Sequence, residues 1–269
     1  MTMINFISFG SGSSGNCYYL YTDNDGLLID AGVGVRALKK YFRDYGLSLS
    51  KVRHILITHD HADHIKCVGS LSYDYQLPVY ATQIVHEGID RNYCVTRKVN
   101  MGLRKMVEPG QRIQLGDFAV TPFSVPHDSS DNVGYQIEAE GIMFCIITDA
   151  GHVTPEMASY ISRANYLVIE ANHDVEMLEQ GAYPRHLKAR IACPTGHLSN
   201  GACGEAIANH ASEHLRYVWL CHLSAENNHP ELARKTVEAI LRSYGIVPGV
   251  DFQMEVLKRT MPSGIFELS

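Results

Sequence analysis

The chain has 269 residues, 45% hydrophobic and 19% charged, with a formal net charge of −6. That length and balance exclude a disordered or fibrous protein and suffice for a core that stands alone. The acidic balance excludes an overall basic footprint, so nucleic acid would have to be held by a local patch or through metal ions.

The opening Met1-Thr2-Met3-Ile4-Asn5-Phe6 has neither the basic nor the long apolar region of a secretory signal. No apolar run approaches the roughly 20 residues that span a bilayer, so a soluble, cytoplasmic protein without a membrane partner is expected. Short apolar or alternating runs at 3–9, 17–22 and 26–30, separated by Gly/Ser and Asn24-Asp25-Gly26 turns, predict a strand meander. Residues 33–45 read as a helix. Val52 to Ile57 read as a buried strand that delivers a histidine-rich loop at its end. Strands are expected near 118–125, 133–139 and 142–148, then a helix near 154–162 and strands at 165–170 and 216–221. Pro230 opens a last helix, with apolar Ala233, Val237, Ile240, Leu241 and Tyr244 on one face and Gly245 as its stop. Two strand clusters, each followed by helices, predict two sheets face to face with helices outside. Without a linker, repeat or low-complexity tract, residues 1–269 read as a single domain. Seven scattered cysteines without a CxxC pair predict free thiols rather than a disulfide framework or zinc ribbon.

The chemistry concentrates in Thr58-His59-Asp60-His61-Ala62-Asp63-His64. Histidines two apart, followed by Asp and His, can turn two groups of nitrogen and oxygen donors toward adjacent cations. A binuclear site needs more ligands than one loop offers, and His127, Asp149 and His222 each follow a predicted strand.

In this order these residues resemble the metallo-β-lactamase superfamily over essentially the whole chain. The resemblance implies an α/β fold, the four-layer αββα sandwich. It also implies His59, His61 and His127 on one metal, Asp63, His64 and His222 on a second, and Asp149 bridging both. His61 stands where the flavo-diiron branch has Glu, which disfavours redox chemistry; Asp149 stands where β-lactamases proper carry Cys, which disfavours antibiotic hydrolysis. Ser11 to Asn16, Glu170-Ala171-Asn172-His173-Asp174, Gly196-His197-Leu198-Ser199-Asn200 and His222 to Asn228 are similar to the YycJ/WalJ-type, exonuclease-like branch. In tRNase Z-like phosphodiesterases a Glu orients a His that precedes the last ligand, and Glu170 and His197 occupy those places.

The expected activity is therefore a metal-dependent phosphodiesterase acting on DNA as an exonuclease. A hydroxide bridging two divalent ions (zinc or manganese, with iron also suited) would attack phosphorus. His197, beside a helix start expected at Ser199 or Asn200, would bind phosphate or protonate the leaving alkoxide, with Glu170 fixing its tautomer. Asp63, Glu170 and His197 are the expected catalytic residues, and His173, His197, Ser13 and Ser14 the expected substrate contacts. Arg91, Arg97, Lys98, Arg104 and Lys105 form the one basic cluster, a candidate backbone-tracking patch. A cyclic phosphodiesterase, or a thioester or lactone hydrolase, would use the same loop, though Glu170 and His197 speak against the latter. A metal-stabilised binding protein without activity would not need the complete ligand set.

Overall fold

The computed structural model describes residues 3–269; Met1 and Thr2, part of the stretch read for a leader, lie outside the described residues. The first half of the chain runs β1 (Ile4–Gly10), β2 (Cys17–Tyr21), β3 (Gly26–Ile29), α1 (Val35–Asp44), β4 (His54–Leu56), α2 (Ala62–Ile65), α3 (Val68–Tyr75), β5 (Val79–Ala81), α4 (Gln83–Arg91) and β6 (Arg104–Met106). The second runs β7 (Ile113–Leu115), β8 (Phe118–Ser124), β9 (Val133–Ala139), β10 (Ile142–Ile147), α5 (Pro155–Ile161), β11 (Tyr166–Glu170), α6 (Val175–Gln180), α7 (Arg185–Ala192), α8 (Asn200–His210), β12 (Tyr217–Cys221), α9 (Pro230–Ser243), β13 (Gln253–Val256) and β14 (Phe266–Leu268).

Two seven-stranded sheets result, in the orders β14-β1-β2-β3-β4-β5-β6 and β13-β12-β11-β10-β9-β8-β7. Both are mixed. β3 to β6 run parallel in the first, and β10 to β13 parallel in the second.

Side-chain alternation builds the layers. Phe144 and Ile146 of β10 enter one apolar cluster with Phe6, Tyr18, Leu56 and Trp219, drawn from both sheets. Cys145 and Ile147 point the other way, into a cluster with Met157 of α5, Ile207 of α8 and Val237 of α9. Ile7 and Phe9 of β1 likewise join Leu38 of α1, Leu71 of α3 and Val85 of α4. Period-two strands buried on both faces therefore read as near-continuous apolar runs, and three cores between four layers give the expected αββα sandwich. The Phe6 and Trp219 rings, 4.7 Å apart, pack the two sheets against each other.

Most expected elements are present with shifted ends. β4 is shorter than the 52–57 run because residues 49–51 form a 3₁₀ turn that Val52 closes, its N–H donating to the Leu49 carbonyl. All seven cysteines are free. Among the described residues no helix is long and apolar enough to cross a membrane.

Candidate metal centre

The expected site residues sit at or just beyond the carboxyl ends of strands. His59 to His64 follow β4, His127 follows β8, Asp149 follows β10, Glu170 ends β11 and His222 follows β12. Backbone conformation marks three of these exits: Asp30 after β3, Asp149 and His222 have φ of 60°, 53° and 52°. Non-glycine residues rarely adopt this left-handed region, and such conformations persist where surrounding structure enforces them, often at functional sites.

The exits bring two groups of donors together. Ligand atoms of His59, His61 and His127 lie within 4.8 Å of one another, and so do those of Asp63, His64 and His222. Asp149 stands between the groups, with Oδ2 3.2 Å from His64 Nε2 and Oδ1 3.7 Å from His127 Nε2.

The electrostatics of the cluster suit cations. Burial opposes the charge on Asp149, but His222 and His64 beside it outweigh that and hold its carboxyl well below the usual range. Asp63 is also held down, with burial opposed by His64 and His222. Burial pushes His59 and His127 below the ordinary histidine value, which keeps them neutral, the form that ligates a metal. His59 Nε2 and His222 Nε2 are buried and lack hydrogen-bond partners among the described residues. Such an orphaned group costs about 1–3 kcal/mol, which a cation at each would offset. Imidazole and carboxylate together suit zinc, manganese or iron, so the residues present fit divalent metal ions.

Several supporting residues escaped the sequence reading. Asp30 Oδ2 lies 2.6 Å from His64 Nδ1, and Asp30 Oδ1 accepts the Thr58 N–H. This carboxylate fixes the His64 ring and leaves Nε2 toward Asp63 and Asp149, as outer carboxylates commonly do for ligating histidines. Thr58 Oγ1 is 3.0 Å from His59 Nδ1. Asn16 Nδ2 lies 2.8 Å from His64 Nε2 and 3.3 Å from Asp63 Oδ2, while Ser11 Oγ accepts the His222 N–H. The one sequence signal for Asp30 is that it ends the third apolar run; Asn16 and Ser11 lie in the Gly/Ser segment 10–16.

Glu170 is completely buried and holds two imidazoles. Its Oε1 lies 2.8 Å from His197 Nδ1 and 2.9 Å from His222 Nδ1, and Oε2 accepts the N–H groups of Ala150 and Leu198. Burial alone would raise its pKa, but His197 and the hydrogen bonds from both rings lower it to about 2. Burial would lower the His197 pKa, and Glu170 reverses this and raises it. The expected helix start is present: α8 begins at Asn200, with Ser199 Oγ accepting the Ala202 N–H as its cap.

The remaining expected contacts divide. Ser13 lines a cavity with His197 and His222, whereas Ser14 faces a separate cleft beside Phe9 and Tyr41. Loop N–H groups are largely used internally: Gly12 donates to Asn16 Oδ1, Gly15 to the Gly12 carbonyl and Asn16 to the Asp63 carbonyl. His173 is buried, its Nδ1 unpartnered, and is not among the residues lining the Ser13 cavity. In the basic stretch, Arg104 forms two hydrogen bonds with Asp90, Arg97 pairs with Asp74, and Lys98 donates to the Ile89 and Asn92 carbonyls. Most of its charge is thus already partnered.

Comparison with known proteins places these features in a family. The profile described as "Beta-lactamase superfamily domain" matches residues 26–222. The exodeoxyribonuclease YycJ of Bacillus anthracis is 35% identical over 262 residues, covering 97% of this chain and 98% of that protein. The exodeoxyribonuclease WalJ of Streptococcus pneumoniae serotype 2 (strain D39) is 36% identical over 244 residues, 91% of this chain and 90% of that protein. Among solved structures, the metallo-beta-lactamase fold protein YhfI of Bacillus subtilis aligns over 99% of this chain and 100% of its own, with a TM-score of 0.72 at 17% identity.

Proposed function

The chain belongs to the beta-lactamase superfamily, in its YycJ/WalJ-type exonuclease-like branch, and on that footing we propose that it is a metal-dependent phosphodiesterase degrading DNA from a strand end. His59, His61 and His127 would hold one divalent ion, Asp63, His64 and His222 a second, and Asp149 would bridge them. Bound there, the ions would make water nucleophilic near neutral pH and neutralise phosphoryl oxygens.

The observation that carries this reading is the placement of His197. Its side chain is 18% exposed, at the edge of both donor groups and of the Ser13 cavity, and Glu170 holds its Nδ1. With Nδ1–H donating to Glu170, Nε2 is the nitrogen left for substrate. A proton on Nε2 can be donated to a nonbridging phosphate oxygen or to the departing alkoxide. Glu170 favours the protonated form and shares its other contact with His222, so one carboxylate aligns the proton donor with the last metal ligand. A phosphodiester leaving as an alkoxide needs that proton; a thioester leaving as a thiolate does not.

The direct test incubates the manganese-loaded protein with linear DNA labelled at either end and with closed circular DNA. Nucleotides should be released from linear DNA while circles persist, and chelation should stop the reaction. Cleavage of circles would replace the exonuclease reading with an endonuclease. Thioester or lactone hydrolysis with phosphodiesters untouched would overturn both.

A further inference from the structure

Helix α7, Arg185-His186-Leu187-Lys188-Ala189-Arg190-Ile191-Ala192, has no buried residue. Its Leu187 and Ile191 are half-buried, and it is tied to its neighbours by Arg190 on Asp128, Lys188 Nζ on the Glu179 carbonyl and the His197 N–H on the Ile191 carbonyl. Leu187 and Ile191 are four apart and share a face. With Tyr183 they line the cavity that also contains Ser13, Arg190 and His197, about 170 Å³ in volume. Tyr183 is half-buried, and its ring stacks on no other aromatic ring among the described residues. The cavity thus has a flat aromatic element and two aliphatic ones directly beside the proposed phosphate contact.

Arg190 is the one Lys or Arg among the residues lining the cavity. α7 carries Arg185, Lys188 and Arg190 and no acidic residue. Arg190 pairs with Asp128, which adjoins His127. A slot with Tyr183, Leu187 and Ile191 on its apolar side, Asn172 and Ser224 among its polar lining, Arg190 at its margin and the proposed phosphate contact His197 beside them suits the parts of one nucleotide. Base stacking on aromatic side chains together with cationic backbone contacts is the general means of holding single-stranded nucleic acid. The volume lies below the roughly 300–1,000 Å³ of pockets that take drug-sized ligands, so it has room for one base and not for a run of them.

From these features we infer that the cavity beneath α7 receives the terminal nucleobase of a DNA strand while its phosphate lies at His197. The inference rests on the nuclease reading and adds a subsite to it: Tyr183 stacks on the base, and Leu187 and Ile191 cover its other surfaces.

Binding separates this subsite from catalysis. Affinities of the manganese-loaded protein for deoxyadenosine 5′-monophosphate and for deoxyribose 5-phosphate are measured by calorimetry. The nucleotide should bind about 5- to 150-fold more tightly, the range a stacked base contributes. Tyr183→Ala and Leu187→Ala should erase most of that ratio and leave deoxyribose phosphate binding unchanged, and Tyr183→Phe should restore it. Because Tyr183 and Leu187 are only half-buried, these variants should keep the wild-type melting temperature. Equal affinity for the two ligands, no binding of the nucleotide, or equal weakening of both by Tyr183→Ala would overturn the subsite. If DNA is degraded while the base makes no difference, the subsite fails and the nuclease reading stands. If the nucleotide binds in the Tyr183-dependent manner while DNA is not degraded, the subsite stands and the polymer reading fails.

Discussion

Removing the His197 imidazole deletes none of the seven proposed ligands, so His197→Ala should retain its metal while losing activity. Hydrolysis of a phosphodiester with a poor alkoxide leaving group should fall about a hundredfold to ten-thousandfold, the range for a positioned general acid. A nitrophenyl phosphodiester should lose much less, because nitrophenolate departs without a proton. Equal losses on both would assign His197 to phosphate binding alone, and no loss on either would make it a bystander. Asp149→Ala tests the proposed bridge: its cost should exceed the ~10- to 100-fold of outer-shell changes, whereas Asp30→Asn, which removes no proposed ligand and disturbs the contacts of Asp30 with His64 Nδ1 and Thr58, should fall within that range. Near-normal turnover of a folded Asp149→Ala protein would remove it from the bridge. These residues were unequally legible. His59 to His64 announce themselves by density, and His127, Asp149 and His222 by following apolar runs. Asp30 and Asn16 gave no comparable signal, because their partners His64 and Asp63 lie 34 and 47 positions away and meet them only when β2, β3 and β4 pair.

Element by element, legibility follows burial. β10 and β11 bury both faces and read as continuous apolar runs, and α9 repeats its apolar residues along one side. Short β5, β6 and β7, three residues each, are below the length at which alternation can be recognised, and α7 without a buried residue has no stripe to detect. α8 is an intermediate case, visible mainly through its cap. Ser199→Ala should cost about 0.5–2 kcal/mol, the usual price of losing an N-cap, measured as a lower melting temperature. Turnover should scarcely change, because the Leu198 N–H bond to Glu170 and the His197 contact are independent of the Ser199 hydroxyl. If turnover instead falls as far as in His197→Ala, the cap rather than Glu170 positions the imidazole.

At the scale of the whole molecule, the proposed ligands come from both sheets. His59 to His64 follow β4 of the first, while His127, Asp149 and His222 follow β8, β10 and β12 of the second. Ions bound among them would therefore join the two halves of the sandwich at one edge, in addition to the apolar contact of Phe6 with Phe144 and Trp219. A ligand that binds only the folded state stabilises it by about 4.1 kcal/mol when its free concentration is a thousand times its dissociation constant. At about 2–4 °C per kcal/mol for domains of 150–250 residues, chelation should lower the melting temperature by about 8–16 °C for each ion held that tightly, together with loss of activity. Adding metal back should restore both in parallel up to two equivalents per chain, counted by elemental analysis. Full recovery at one equivalent would reduce the centre to a single ion. Recovery of activity without any rise in melting temperature would show that the ions act on substrate alone and do not join the sheets, since the same coordination cannot bridge both halves and leave their separation equally easy.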